Sequence, residues 1–114
     1  MQNELTIVWS KFTEYFDLKE SKIKIYLECF QDENELYLKI ALNTLIQNWH
    51  DSTSYPLIAE INGVVSRVKS EHNDYLERLR KLYEHGNISE LKSLIEKWKV
   101  FPVPKEVLEL INDN

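Results

Sequence analysis

The sequence predicts an all-α fold of about six helices, and three observations carry that reading. Apolar residues recur at three- and four-residue spacing along nearly the whole chain, which is the period of a helix face. Only two Gly and three Pro occur in 114 residues, too few turn signals for a many-stranded protein. Asp-x-x-Glu or Asn-x-x-Glu steps stand just ahead of several periodic runs, where helix caps belong. At 43% hydrophobic and 29% charged residues the composition is globular, and the length suits one compact domain. Within that domain the pattern divides into residues 1–61 and residues 62–114.

Leu5, Val8, Trp9, Phe12 and Phe16 paint one stripe on a first helix of about residues 3–16. Asp17 with Glu20 reads as a capping box for a second helix with Ile23, Tyr26, Leu27 and Phe30 inward. Asp32 with Glu35 repeats that pattern for a third helix, whose apolar face is Leu38, Ala41, Leu42, Leu45 and Trp49 and which ends near His50. The stretch DSTSYP is then a loop, and Pro56 suits the first turn of a fourth helix.

From Ile58 the apolar positions Ile58, Ile61, Val65, Val68, His72, Tyr75, Leu79 and Leu82 alternate by three and four, as in a heptad seam. The spacing predicts one long helix from about Pro56 to Glu84, ending at Gly86 as a C-cap. The alternative is a break over Ser70–Asn73, where four polar residues weaken helix propensity. An unbroken helix rises about 43 Å at 1.5 Å per residue, so part of it is expected to project or to meet a partner, a second copy of the chain among them. Gly63 is either a modest cost inside that helix or a point of close helix approach. Asn87 with Glu90 or Ser89 caps a fifth helix carrying Leu91, Leu94, Ile95 and Trp98. VFPVP breaks it, and Pro104 starts a last helix with Val107, Leu108 and Ile111 inward.

The net charge of −5 is uneven: residues 1–60 hold five Lys/Arg against ten Asp/Glu, and residues 61–114 hold nine of each. The densest cations, Arg67, Lys69, Arg78, Arg80 and Lys81, are interleaved with Glu71, Asp74 and Glu77. That mixing reads as a solvated helix face, so high-affinity binding to nucleic acid alone is not expected. The single cysteine, Cys29, is expected as a buried small hydrophobe. No signal-peptide pattern and no run of about 18 apolar residues is present, so no membrane association is expected and the cytoplasm is the expected compartment.

Catalytic patterns are sparse. His50, His72 and His85 stand in no metal-ligand spacing, and no phosphate loop, dinucleotide fingerprint, nucleophile elbow or Cys-x-x-Cys occurs. His50, Asp51 and Ser52 are consecutive, which is poor geometry for a triad. Glu28, Asp32, Glu33 and Glu35 could pair as carboxylates, yet two of these occupy capping positions. His72 reads as a packed or register-setting residue of the seam. The expectation is a non-enzyme with no cofactor and no metal.

Two stretches echo one another. LIQNWHDSTSYPLIAEIN at 45–62 and LIEKWKVFPVPKEVLELIN at 94–112 each place a Leu-Ile pair ahead of a Trp, then an aromatic-Pro step. Each reads as a corner at which a large indole closes one helix and the proline starts the next, with ring and pyrrolidine stacking as a wedge. The first, made of Trp49, Tyr55, Pro56, Ile58 and Ile61, is expected to be structural core. The second, with Trp98 and Phe101, is expected to be more exposed and, together with the seam residues Tyr75, Leu79 and Leu82, to bind a partner.

Residues 4–61 resemble the amino-terminal domain of the phage replicative-helicase loader and inhibitor proteins. The matching positions are Trp9 and Phe12, Tyr26 and Phe30, Asp32 and Glu35, then Tyr55, Pro56, Ile58, Glu60 and Ile61. Tyr55 and Leu57 depart from the family's commoner Phe-Pro-Pro form. The resemblance implies a small adaptor that binds a hexameric replicative helicase, or its loader, and controls its deposition on DNA. It also implies a poorly ordered carboxy-terminal part, from which residues 62–114 depart by being amphipathic throughout. The other expectation open to that region is a homodimeric regulator, such as an antitoxin or immunity protein.

Overall fold

The computed structural model describes residues 3–51 and 53–113, which form six α-helices and no strand. They are α1 (Glu4–Tyr15), α2 (Glu20–Cys29), α3 (Glu35–Asn48), α4 (Ile58–Glu84), α5 (Ile88–Lys97) and α6 (Lys105–Asn112). The expected all-α class with one long central helix is what is found, and α4 runs without a break through Ser70–Asn73. Among the described residues no helix is long and apolar enough to cross a membrane. Contacts divide the chain into two compact units, residues 1–69 and 70–114, so the internal boundary falls inside α4 rather than at 61/62.

In residues 1–69 the core is aromatic. Val8, Trp9 and Phe12 of α1 bury against α3, which supplies Leu38, Ala41, Leu42 and Leu45, and the same cluster takes in Ile61 and Val65 of α4. Trp9 meets the edge of Phe12 at 5.7 Å between centroids and 88° between planes, the favourable quadrupole geometry for two rings. Phe12, fully buried, then meets Phe16 at 4.9 Å. Glu4 and Lys39 pair across α1 and α3. At its start, α1 is capped by Asn3, whose side-chain oxygen accepts the Thr6 backbone N–H at 2.8 Å.

The α1–α2 connection corrects the sequence reading. Asp17 is not a cap for α2, whose N-cap is Lys19 with no side-chain hydrogen bond. It sits instead just past the end of α1 with φ of 52°. There Asp17 N–H donates to the Glu14 carbonyl at 3.2 Å and Leu18 N–H to the Thr13 carbonyl at 3.0 Å. This is a Schellman closure, in which a left-handed residue satisfies the last helix carbonyls and turns the next apolar side chain, here Leu18, into the core. Asp tolerates that backbone region better than most residues. A second closure of the same form ends α4: Gly86, at φ of 64°, donates to the Tyr83 carbonyl and Asn87 to that of Leu82, both at 3.1 Å.

Asp32 is likewise not the cap of α3. Asn34 is, accepting the Tyr37 N–H at 3.1 Å. Glu33 accepts the Asn34 N–H at 3.0 Å and pairs with Lys69 at 3.0 Å. Burial pushes the Glu33 carboxyl up, but that N–H and the Lys69 ammonium outweigh it and hold the group below its ordinary range. In α2 only Tyr26 is buried, so Leu27, expected inward, is exposed, and Cys29 is exposed as well. Leu108 of α6, also expected inward, is exposed while Val107 is buried.

The first corner closes on a buried bond. Pro56 is buried just ahead of α4 rather than within its first turn, and its carbonyl accepts the Tyr26 hydroxyl at 2.9 Å. Leu57 then acts as the cap, its carbonyl accepting Glu60 and Ile61 N–H at 3.0 Å while the Glu60 carboxylate reaches back to the Leu57 N–H at 3.3 Å. Trp49 is half-buried rather than fully core: its ring meets Phe16 edge-on at 6.1 Å and its Nε1–H donates to the Ser54 carbonyl at 3.2 Å.

Gly63 lies exposed on α4, and a Cβ built there meets nothing within 4 Å. Close approach is therefore not its role, and only the backbone-entropy cost of a helical glycine remains. Gly63→Ala is expected to stabilise the protein by about 0.5–1 kcal/mol in denaturant unfolding, and a loss of stability would show that the position is sterically occupied.

Candidate functional site

The candidate site lies in residues 70–114. Asn87 caps α5 by accepting the Glu90 N–H at 3.2 Å, which starts the helix directly after the Gly86 turn that ends α4. α5 in turn packs on α6. Leu79 and Leu91 are fully buried, and Val107 of α6 is buried as well.

The second corner builds an aromatic stack that the sequence reading missed. Trp98 stacks on Phe101 at 6.0 Å and 20°, and Phe101 stacks on His72 at 4.7 Å and 21°, with Tyr75 tilted against Phe101 at 5.6 Å. The signal for it was present: His72 and Tyr75 are three apart on one helix face. Nothing in the spacing, however, showed that this face receives the Phe101 ring. Burial holds the His72 imidazole below its ordinary value, and burial likewise pushes the Tyr75 phenol up. The Tyr75 hydroxyl and the Trp98 Nε1 are buried with no hydrogen-bond partner among the described residues.

The structure buries three of the five expected partner-binding residues. Tyr75 and Leu79 are each 1% exposed and Phe101 is 3% exposed, because the α4 seam and the second corner are spent on internal packing. Trp98 is half-buried, its face toward Phe101 covered. Leu82 is different. It is half-buried and lines a groove of about 460 Å³ between α4 and α5. Leu94 of α5 is the matching apolar wall, and the exposed lining is overwhelmingly apolar. Arg78 and Lys81 from α4 and Lys97 from α5 stand at its rim with Glu90 and Ser93.

Of the structural corner residues, Pro56 and Ile61 are buried as expected, while Trp49, Tyr55 and Ile58 are half-buried and pack against the core from outside. A second hollow, of mixed polar and apolar lining, lies beside that corner and includes Trp49, His50, Asp51, Tyr55 and Glu60. The Asp51 carboxylate is held below its ordinary range by the Thr53 hydroxyl at 2.7 Å and then the Thr53 N–H at 2.9 Å. This is a self-contained turn in a loop, as the sequence reading had it. Ser52, read with His50 and Asp51, lies outside the described residues. Among the described residues no group of three or more His, Cys, Asp or Glu is placed to hold a metal ion.

No family model, no curated protein and no solved structure matches this chain.

Phe101→Ala removes the centre of the stack, and it is expected to destabilise residues 70–114 by about 3–5 kcal/mol in denaturant unfolding; a change under about 1 kcal/mol would place the ring outside the core. A pH dependence follows from His72. Its folded pKa lies below the ordinary 6.5, so as pH falls the unfolded chain takes the proton first. The stability this protects is complete above about 6.5 and declines as pH drops through the window beneath it. Thermal melts at pH 7.5 and 5.5 are expected to show a larger fall in Tm for the unaltered protein than for His72→Phe, which keeps the stack and removes the titration. Equal falls would remove His72 from the account.

Proposed function

We propose that the chain is a non-enzymatic adaptor that acts by binding another protein, and that the α4–α5 groove is its docking surface. The observation that carries this reading is the pairing of an apolar floor, Leu82 and Leu94, with a charged rim on the exposed surface of one unit. Apolar ground of that kind, edged by polar groups, is what protein interfaces use. The partner implied by the resemblance of residues 4–61 is a hexameric replicative helicase or its loader, with control of helicase deposition on DNA as the role. Its matching positions Trp9, Phe12, Tyr26, Phe30 and Ile61 are all buried in the core of residues 1–69, and Pro56 is bound there by Tyr26. These positions support the likeness through packing. Contact with the partner would then fall to residues 70–114.

The homodimeric regulator loses the argument that favoured it. Ile61, Val65, Val68, Tyr75 and Leu79 of the seam are at most 2% exposed, so the seam offers no ready surface to a second copy.

Calorimetric titration of the intact chain with the purified replicative helicase of its native host, and separately with the loader, tests the reading. Saturable binding to one of them at micromolar or tighter Kd is expected. Ser93→Trp places a large ring over the groove from an exposed helix position, and it is expected to weaken that binding about tenfold or more, close to 1.4 kcal/mol. Absence of heat with both proteins would overturn the helicase assignment. Binding that Ser93→Trp leaves unchanged would move the docking surface elsewhere.

A further inference from the structure

We infer that the occupant of the α4–α5 groove is an acidic amphipathic segment of the partner protein, one that sets apolar side chains on Leu82 and Leu94 and carboxylates against Arg78, Lys81 and Lys97. The inference rests on the docking role proposed above and names the chemistry of what docks.

Charge carries the argument. The rim bears three cations against one carboxylate, Glu90, on a chain whose net charge is −5. None of the three cations is in an ion pair within 4 Å among the described residues, although Lys81 stands near enough to Glu77 to help hold that carboxyl below its ordinary range. On the same stretch of α4 Arg80 is held by Glu77 at 2.7 Å and Glu84 at 3.1 Å, and just past the end of α5 Lys99 is held by Glu96 at 2.7 Å. Arg78, Lys81 and Lys97 make no ion pair among the described residues, although Lys97 lies 5.9 Å from the Trp98 ring centroid. The close ion pairs thus go to Arg80 and Lys99, which do not line the groove, and the three cations beside it make none within 4 Å among the described residues. The chain's overall negative charge opposes this only weakly, since at physiological salt charges more than about 8 Å away are largely screened.

The floor decides between macromolecules. Phosphates require polar neighbours, and a lining that is overwhelmingly apolar gives a nucleic-acid backbone little to bond beyond the rim. A helix laid into the groove satisfies both parts, with apolar residues at three- and four-residue spacing on the floor and acids along the flanks.

Fluorescence polarisation with the full chain tests the proposal, using two labelled helical peptides that share a leucine face and differ in flanking it with Glu or with Lys. The Glu peptide is expected to bind about tenfold or more tightly than the Lys peptide, and its affinity to fall with added salt. Arg78 and Lys81 are exposed, so the double variant R78E/K81E is expected to melt as the unaltered protein does while reversing the preference. Equal binding of the two peptides, binding of neither, or indifference to R78E/K81E would overturn the proposal. Tighter binding of single-stranded DNA than of the Glu peptide would overturn it in favour of a nucleic-acid surface. A dimer in light scattering that R78E/K81E dissociates would overturn it in favour of a second copy. Failure here is separable from failure of the docking role: if Ser93→Trp still weakens helicase or loader binding, the groove docks a partner of other chemistry.

Discussion

One apolar stripe governs the rest of the structure. α4 carries Ile61, Val65, Val68, Tyr75 and Leu79 along one face of a 27-residue helix, and a stripe of that length cannot remain in water without a large transfer penalty, about 1.5–3 kcal/mol for each such side chain. Covering it sets the architecture. Ile61 and Val65 enter the aromatic core built by α1 and α3. Tyr75 enters the ring stack of the second corner, and Leu79 is buried in the unit that α5 and α6 complete. The two Trp corners fall where they do because each closes a helix that helps to cover one part of the stripe.

Much of this was legible in the sequence, and the legible part has a common cause. Where a residue's role follows from periodicity along one helix, as with Phe12, Leu38, Leu42, Ile61 and Val65, the pattern alone places it. The continuous α4, its Gly86 end and the Asn87 cap were also readable, because a helix stop and start have local chemistry. What failed were choices between two local uses of the same residue. Asp17 carries the spacing of an N-cap, yet its place one residue past the Phe16 C-cap gives it the left-handed position of a C-terminal closure. Asp32 lost its cap role to Asn34, two residues on. Leu27 and Cys29 look apolar in a helix that has only one buried face to spend, and Tyr26 occupies it.

The site was harder to read for a different reason. A heptad pattern states that a face is apolar but not what covers it, so Tyr75, Leu79 and Phe101 read equally well as a dimer seam, a docking patch or an internal core. Only the three-dimensional return of the second corner, which brings Phe101 against His72 at 4.7 Å, selects the last. The surface left over was then set by Leu82 at the end of the α4 stripe, by Leu94 of α5, and by cations of which Arg78 and Lys81 belong to a sign-mixed helix. Reading them as mixed was correct for the helix as a whole. It averaged over faces, and the face beside the groove holds Arg78 and Lys81 while the paired Arg80 looks elsewhere.

The central claim is that the α4 stripe is covered by its own chain, and amide hydrogen exchange along α4 at two protein concentrations about a hundredfold apart tests it most directly. Exchange reports how often each turn opens, and opening is suppressed where packing stabilises the helix. The account predicts protection over Ile61–Val68 and again over Tyr75–Leu79 that is the same at both concentrations. Protection over Tyr75–Leu79 that is absent in dilute solution and appears only in concentrated solution would contradict it, because the stripe would then be covered by a second molecule.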